Sequence, residues 1–351
     1  MTLRESQFLR LLGAGFGLAR HPNNPPTIAR PDVEDARAAL ERASSLRLDA
    51  LVAIALRALG YDDDVTDAKR RLNEAKGRAA YYAHASAEVA RRLAGKGIRA
   101  VIVKGVVNDD LFYGGRGLRG GSDVDVLVDD LHGAVDALGD ISIGRPYQER
   151  RPRLITARKI RDVSARIAGR VITIDIQGLW LYPPLVDDTH GVLDRRVMVG
   201  ATPRASLEDI AVYLGGDVVS DRFAGREKLA LDMAGLLARD DVNWTVVAQR
   251  ALAARAGGAL WSLLDLAVKY FDARAPAGLM SQVKPPMPRR ALLLASARGA
   301  PIAGAFTRGF ETDSLWHGAL HFARYLPSRL LDRLLDEPRS ESTRKSRRSR
   351  A

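Results

Sequence analysis

Between Pro31 and Gly95 apolar residues recur every three or four positions, and between Ile98 and about Gly200 that period gives way to short β-branched runs. The helical period returns from Ser206 onward. The first stretch contains VEDARAALERASS, LRLDALVAIALRALG and DDVTDAKRRLNEAKGRAAYYAHASAEVARRLAGKG, each of which keeps one apolar face and so predicts an amphipathic helix. Asp64 or Thr66 is the expected N-cap of the long third helix, and Gly95 or Gly97 its end. The run Ile98 to Val103 (IRAVIV) predicts a buried strand that Lys104-Gly105 closes. VVNDDLFY then reads as a short helix and GGRGLRGGS as a glycine-rich loop. Asp123 to Val128 (DVDVLV) is a second strand, and DDLHGAVDALGD a helix. VSARIAG and RVITIDIQ read as two strands joined by a tight turn at Ala168-Gly169.

In the C-terminal part, SLEDIAVYLGG opens with a capping box, Ser206 at the cap and Asp209 in the acidic place. Helices are expected around REKLALDMAGLLARD, NWTVVAQRALAARAGG and ALWSLLDLAVKYFDARA. The block KPPMPRR reads as a linker before a last helical segment, SLWHGALHFARYLPSRLLDRLLDE. The expected fold is α/β (α+β), a small mixed-sheet core flanked by helical regions. Its divisions are 1–97 (N-terminal helices), 98–200 (α/β core), 201–335 (C-terminal helices) and 336–351 (a disordered basic tail). Each helical region carries an apolar face that needs a partner. Both should therefore pack on the core and leave a groove over the sheet where Asp123 lies.

Composition narrows the chemistry. The chain of 351 residues is 46% hydrophobic and 27% charged, the balance of a soluble globular protein. Its lack of cysteine excludes disulfides and thiolate metal sites, so oxygen or imidazole must hold any metal and Mg2+ is the natural candidate. No apolar run is long enough to span a bilayer and the N-terminus lacks a secretory pattern, which makes a cytoplasmic location the default expectation. From Arg339 to Ala351 six basic residues face one acid, so that tail supplies +5 of the net +12 and the body +7. A solubilising end is the simpler reading of the tail, and an arm for nucleic acid or anionic lipid the sharper one. A positive body suits an anionic substrate, a nucleoside triphosphate or RNA among them.

The string GGSDVDVLV carries the chemistry. Side chains two apart on a strand share a face, so Asp123 and Asp125 point one way while Val124 and Val126 point the other. Two carboxylates on one face repel each other unless a cation bridges them. Asp175, in VITIDIQ, opposes the buried face of Ile174 and Ile176. Should its strand lie beside the first, three carboxylates converge within about 4–7 Å, an arrangement suited to two divalent ions that clamp a triphosphate and activate a hydroxyl. His84, His132 and His190 show no ligand spacing. The pair His317/His321, at i and i+4, has no evident third ligand and reads as surface or packing.

These residues also carry a resemblance. AVIVKG, LFYGGRGLRGGSDVDVLV and VITIDIQGLW are similar to the uncharacterised bacterial nucleotidyltransferase family of the DNA polymerase beta superfamily. That family shows a strand ending in Leu-Lys-Gly, a Tyr, an Arg four residues before Asp-x-Asp, and a later hydrophobic-Asp-Leu-His-Trp strand. Lys104-Gly105, Tyr113, Arg119, Asp123 and Asp125 occupy the matching places, and the resemblance extends from about Leu46 to Phe271. It departs after the third acid, where Gln177 and Gly178 replace the family's His and displace Trp180. The resemblance implies Mg2+ and a nucleotide held by Asp123, Asp125 and Asp175. Lys104 and Arg119 would offset phosphate charge, and backbone N–H groups of Gly105, Gly120, Gly121 and Ser122 would lie near the triphosphate. Lys228 is a further candidate for the nucleotide. Transfer of a nucleoside monophosphate to a small molecule, sugar, peptide or protein is the implied activity. The alternatives are a toxin-like enzyme acting on tRNA and an inactive scaffold of the same fold.

Overall fold

The computed structural model describes residues 5–23, 26–143, 160–181, 185–220 and 226–287. The expected last helical segment, the tail and the pair His317/His321 lie outside them. Five helices come first: α1 (Glu5–Arg20), α2 (Val33–Leu46), α3 (Asp49–Ala58), α4 (Asp63–Thr66) and α5 (Ala68–Gly95). The α/β segment follows as β1 (Ala100–Ile102), α6 (Val106–Tyr113), β2 (Asp123–Val128), α7 (Leu131–Ala137), β3 (Ile160–Ile167) and β4 (Arg170–Gln177). A short helix α8 (Thr189–Asp194) leads to the hairpin β5 (Val197–Val199) and β6 (Thr202–Arg204). The chain then returns to helices: α9 (Leu207–Ser220), α10 (Arg226–Leu237), α11 (Trp244–Ala253), α12 (Gly257–Phe271) and α13 (Leu279–Gln282). No described helix is long and apolar enough to cross a membrane.

The strands form one mixed sheet in the order β3-β4-β2-β1-β6-β5. β2 runs parallel to β4 and antiparallel to β1, and β3 pairs antiparallel with β4 through the two-residue turn at Ala168 and Gly169, both at positive φ. That turn matches the twist of the flanking strands. One face of the sheet carries Ala100, Ile102, Val124, Val126, Ile174 and Ile176, which close a core with Ala85, Val89 and Leu93 of α5 and with α7. The other face contributes Val101, Val103 and Leu127 to a second core. That core is shared by α1–α3 and by α9–α12, so the described helices before and after the α/β segment pack together beside the sheet. Its anchors include Phe8, Leu11 and Leu12 of α1, all fully buried, each worth roughly 1.5–3 kcal/mol.

Three details differ from the sequence reading. The long helix is interrupted: Thr66 ends α4, Asp67 takes a left-handed conformation at φ 46°, and α5 starts at Ala68 with no side-chain cap. The capping box is rewired. The Ser206 hydroxyl accepts from the Asp209 N–H at 3.2 Å, but the Asp209 carboxylate accepts from that hydroxyl and from Arg195 and Arg250 rather than reaching back to the Ser206 N–H. The hairpin β5–β6 was not anticipated, because three-residue strands carry too little period to read.

Candidate metal centre

Register brings the acids together. Cα pairing sets Asp125 directly opposite Asp175 across β2 and β4, and Asp123 lies two residues earlier on the same face. One carboxylate oxygen from each of the three falls within 4.8 Å of the others. Asp162 of β3 is paired with Asp175 in turn and stays exposed, so an acidic row crosses three strands.

Asp125 is the most enclosed of the three, about 1% exposed. Its Oδ1 receives the Lys104 ammonium at 3.3 Å and the Gln177 amide at 3.3 Å. Among the described residues its Oδ2 is buried with no hydrogen-bond partner. An orphaned buried carboxylate oxygen is costly, and a hard cation is the partner that fits an all-oxygen donor set. Asp123, Asp125 and Asp175 can therefore hold a divalent metal ion.

Burial pushes the Asp125 carboxyl up to about 6, Lys104 opposing the rise and Asp123 adding to it. Asp175 is pushed up to about 7, first by burial and then by Asp125, Asp123 and Asp162. Without metal, both carboxyls keep protons in the folded chain that the unfolded chain has already released. At low pH both states are protonated and no penalty exists. Between about pH 4 and 7 stability should fall as pH rises, by on the order of a few kcal/mol in all, and above that range the loss is complete. Urea denaturation of chelator-treated protein at pH 5 and pH 8 tests this. Asp125→Asn should flatten the slope, and an unchanged slope in that variant would assign the penalty elsewhere.

Lys104 was expected at the phosphates, but its ammonium sits between Asp125 and Asp217 of α9, 3.5 Å from the latter. Burial works against its charge, yet Tyr213, Asp217, Asp125 and Asp123 together hold its pKa above the ordinary lysine value. Tyr213 and Asp217 lie one helical turn apart and so share a face of α9. The Tyr213 hydroxyl donates to Gln177 Oε1 at 3.4 Å, which completes a brace behind Asp125. Gln177 thus keeps Asp125 oriented.

The glycine-rich loop is folded from below. Asp109, buried in α6, accepts from the N–H groups of Gly117 at 2.7 Å and Arg119 at 2.9 Å. Gly105 takes φ 76°, ψ −120° between β1 and α6, a conformation that favours glycine. Gly120 has φ 64°, and a Cβ there would lie 2.2 Å from the Arg47 carbonyl oxygen. Gly120 N–H turns back to Gly117 O, while the Ser122 hydroxyl donates to Asp123 Oδ1 at 3.2 Å. Arg119 is only 4% exposed, and its guanidinium forks onto Asp232 of α10 with Nε and Nη2 at 2.8 Å. Asp232 also accepts from Asn108 Nδ2 and the Tyr113 hydroxyl. Arg119, expected to grip phosphate, is instead an internal clamp that fastens the loop to α10. Lys228 reaches the same loop, donating to Gly120 O at 2.6 Å. Sequence reasoning passed over Asp217 and Asp232. Each is a lone acid inside an otherwise apolar helical stretch, which was the available signal.

A mixed sheet flanked by helices, with an acidic cluster able to hold a metal on its central strands, has the form of a nucleotidyltransferase-like core. A family model described as uncharacterised nucleotidyltransferase matches residues 32–272, and the chain belongs to that family. No curated protein and no solved structure matches it.

Proposed function

We propose that this protein transfers a nucleoside monophosphate from a nucleoside triphosphate to a hydroxyl group, in the manner of the DNA polymerase beta-type nucleotidyltransferases. The observation that carries the reading is the convergence of Asp123, Asp125 and Asp175 around an unpartnered buried oxygen in a chain of this family. Divalent cations held there, Mg2+ by preference and two by the resemblance, would supply charge neutralisation at the phosphates and acidify the acceptor hydroxyl. In the reaction the acceptor oxygen bonds to the α-phosphorus, the α–β bridging bond breaks, and pyrophosphate leaves with the electron pair of that bond. Asp175 is the group to which we assign the acceptor proton, because it borders the open side of the sheet. There Asp162, Ser164, Arg166 and Thr173 are exposed and leave room for an acceptor. Lys104 and Gln177 hold Asp125 in place while the charge on phosphorus rearranges.

The test is incubation with each nucleotide labelled at the α- or γ-phosphate, with Mg2+ and a cell extract. The expected result is α-label in an acceptor and γ-label in pyrophosphate. Transfer of γ-label to the acceptor, or no label beyond that of Asp123→Asn, would overturn the reading. A label on tRNA would make this an RNA-modifying enzyme, whereas a label on a small molecule, sugar, peptide or protein would make it a tailoring enzyme.

A further inference from the structure

Two cations stand on the glycine-rich loop, each donating to a backbone carbonyl and, among the described residues, neither in a salt bridge. Lys228 Nζ donates to Gly120 O at 2.6 Å, and Arg47 Nη1 donates to Gly121 O at 2.8 Å. These carbonyls lie three and two residues before Asp123. The acids nearest Lys228 along α10 are committed elsewhere, Glu227 to Arg42 at 2.9 Å and Asp232 to Arg119. Among the described residues neither Arg47 nor Lys228 forms a salt bridge with a carboxylate. A single carbonyl uses one of the three ammonium hydrogens and one of the five guanidinium hydrogens, so most donors on both groups stay available.

Two features show that the placement has a cost. Arg47 closes α2 in the left-handed region, φ 58°, where glycine is ordinarily favoured, yet the position carries a long cationic side chain. Burial, with the nearby guanidinium groups of Arg119 and Arg47, lowers the Lys228 ammonium to about 7, while Asp232 and Asp123 hold it up. Cations that repel one another beside a loop of backbone turns make a receptive place for a polyanion.

We infer that Arg47 and Lys228 form the subsite for the β- and γ-phosphates of the nucleotide, the end that leaves as pyrophosphate. The inference rests on the nucleotidyl-transfer reading and deepens it. It also makes the N-terminal helices part of the nucleotide site, since Arg47 lies outside the α/β core at the end of α2, which the Arg42–Glu227 ion pair joins to α10.

Calorimetry on the full chain with Mg2+ tests this, using three probes: a nucleoside triphosphate, the matching monophosphate and inorganic tripolyphosphate. Lys228→Met and Arg47→Ala should each weaken triphosphate and tripolyphosphate binding by about 10- to 100-fold, the worth of one charge-assisted contact, and leave monophosphate binding unchanged. Lys228→Arg should recover most of the loss. Equal loss for monophosphate and triphosphate would show a general structural role and overturn the subsite, as would unchanged triphosphate affinity in both variants. Should the wild type transfer nucleotide while both variants bind like it, the subsite fails alone. A wild type that binds tripolyphosphate through these residues but labels no acceptor would keep the subsite and remove the transfer reading.

Discussion

Replacing Asp123 by Asn is expected to lower nucleotidyl transfer by about three orders of magnitude or more with the fold intact. The substitution keeps size and shape and removes one of three carboxylates whose oxygens gather within 4.8 Å. Asp123 opens β2 at the edge of the site, and its one side-chain hydrogen bond, from the Ser122 hydroxyl, survives the change. The metal-free protein should be no less stable than wild type, because one crowded negative charge is gone. Circular dichroism checks the fold, calorimetry with Mg2+ and nucleotide checks binding, and transfer of α-label checks turnover. An Asp123→Asn protein that binds the metal–nucleotide complex as tightly as wild type would remove the acidic cluster from the metal site and favour a scaffold without catalysis.

Asp232→Ala should have the largest effect on stability, a loss of about 3–5 kcal/mol. Asp232 is fully buried and gathers Asn108, Tyr113 and both Nε and Nη2 of Arg119. Its removal leaves an arginine charge inside the protein with no counter-ion and strands two further donors. The glycine-rich loop loses its fastening to α10, so transfer should fall as well, with the triphosphate binding more weakly. Chemical denaturation monitored by fluorescence measures the first effect. A change under about 1 kcal/mol would mean that the Arg119 side chain swings to solvent and that the clamp is dispensable.

The two predictions concern residues of unequal legibility. Asp123, Asp125 and Asp175 could be picked out because strand alternation is a local rule: an acid on a strand whose neighbours are Val or Ile must face the side opposite to theirs. The same locality made the helical regions, the turn at Ala168-Gly169 and the N-terminal boundary of the α/β segment readable. Asp232 and Asp217 could not be assigned in this way. Their partners, Arg119 and Lys104, lie 113 residues away in each case, and no periodicity encodes a pairing over that distance.

Local pattern determined that this chain has a short mixed α/β segment between helical ones, that it carries three strand acids pointing away from their apolar neighbours, and that it belongs among chains with the Lys-Gly and Asp-x-Asp spacing. Tertiary structure alone decided that β4 lies beside β2 in the register that sets Asp175 against Asp125. It also decided that Arg119 turns inward to Asp232 while Lys228 and Arg47 come to the loop instead. The reason is physical. Alternation and helical period depend on a residue's immediate neighbours, whereas strand register and the choice of partner for a buried charge depend on which distant surfaces the whole core brings into contact.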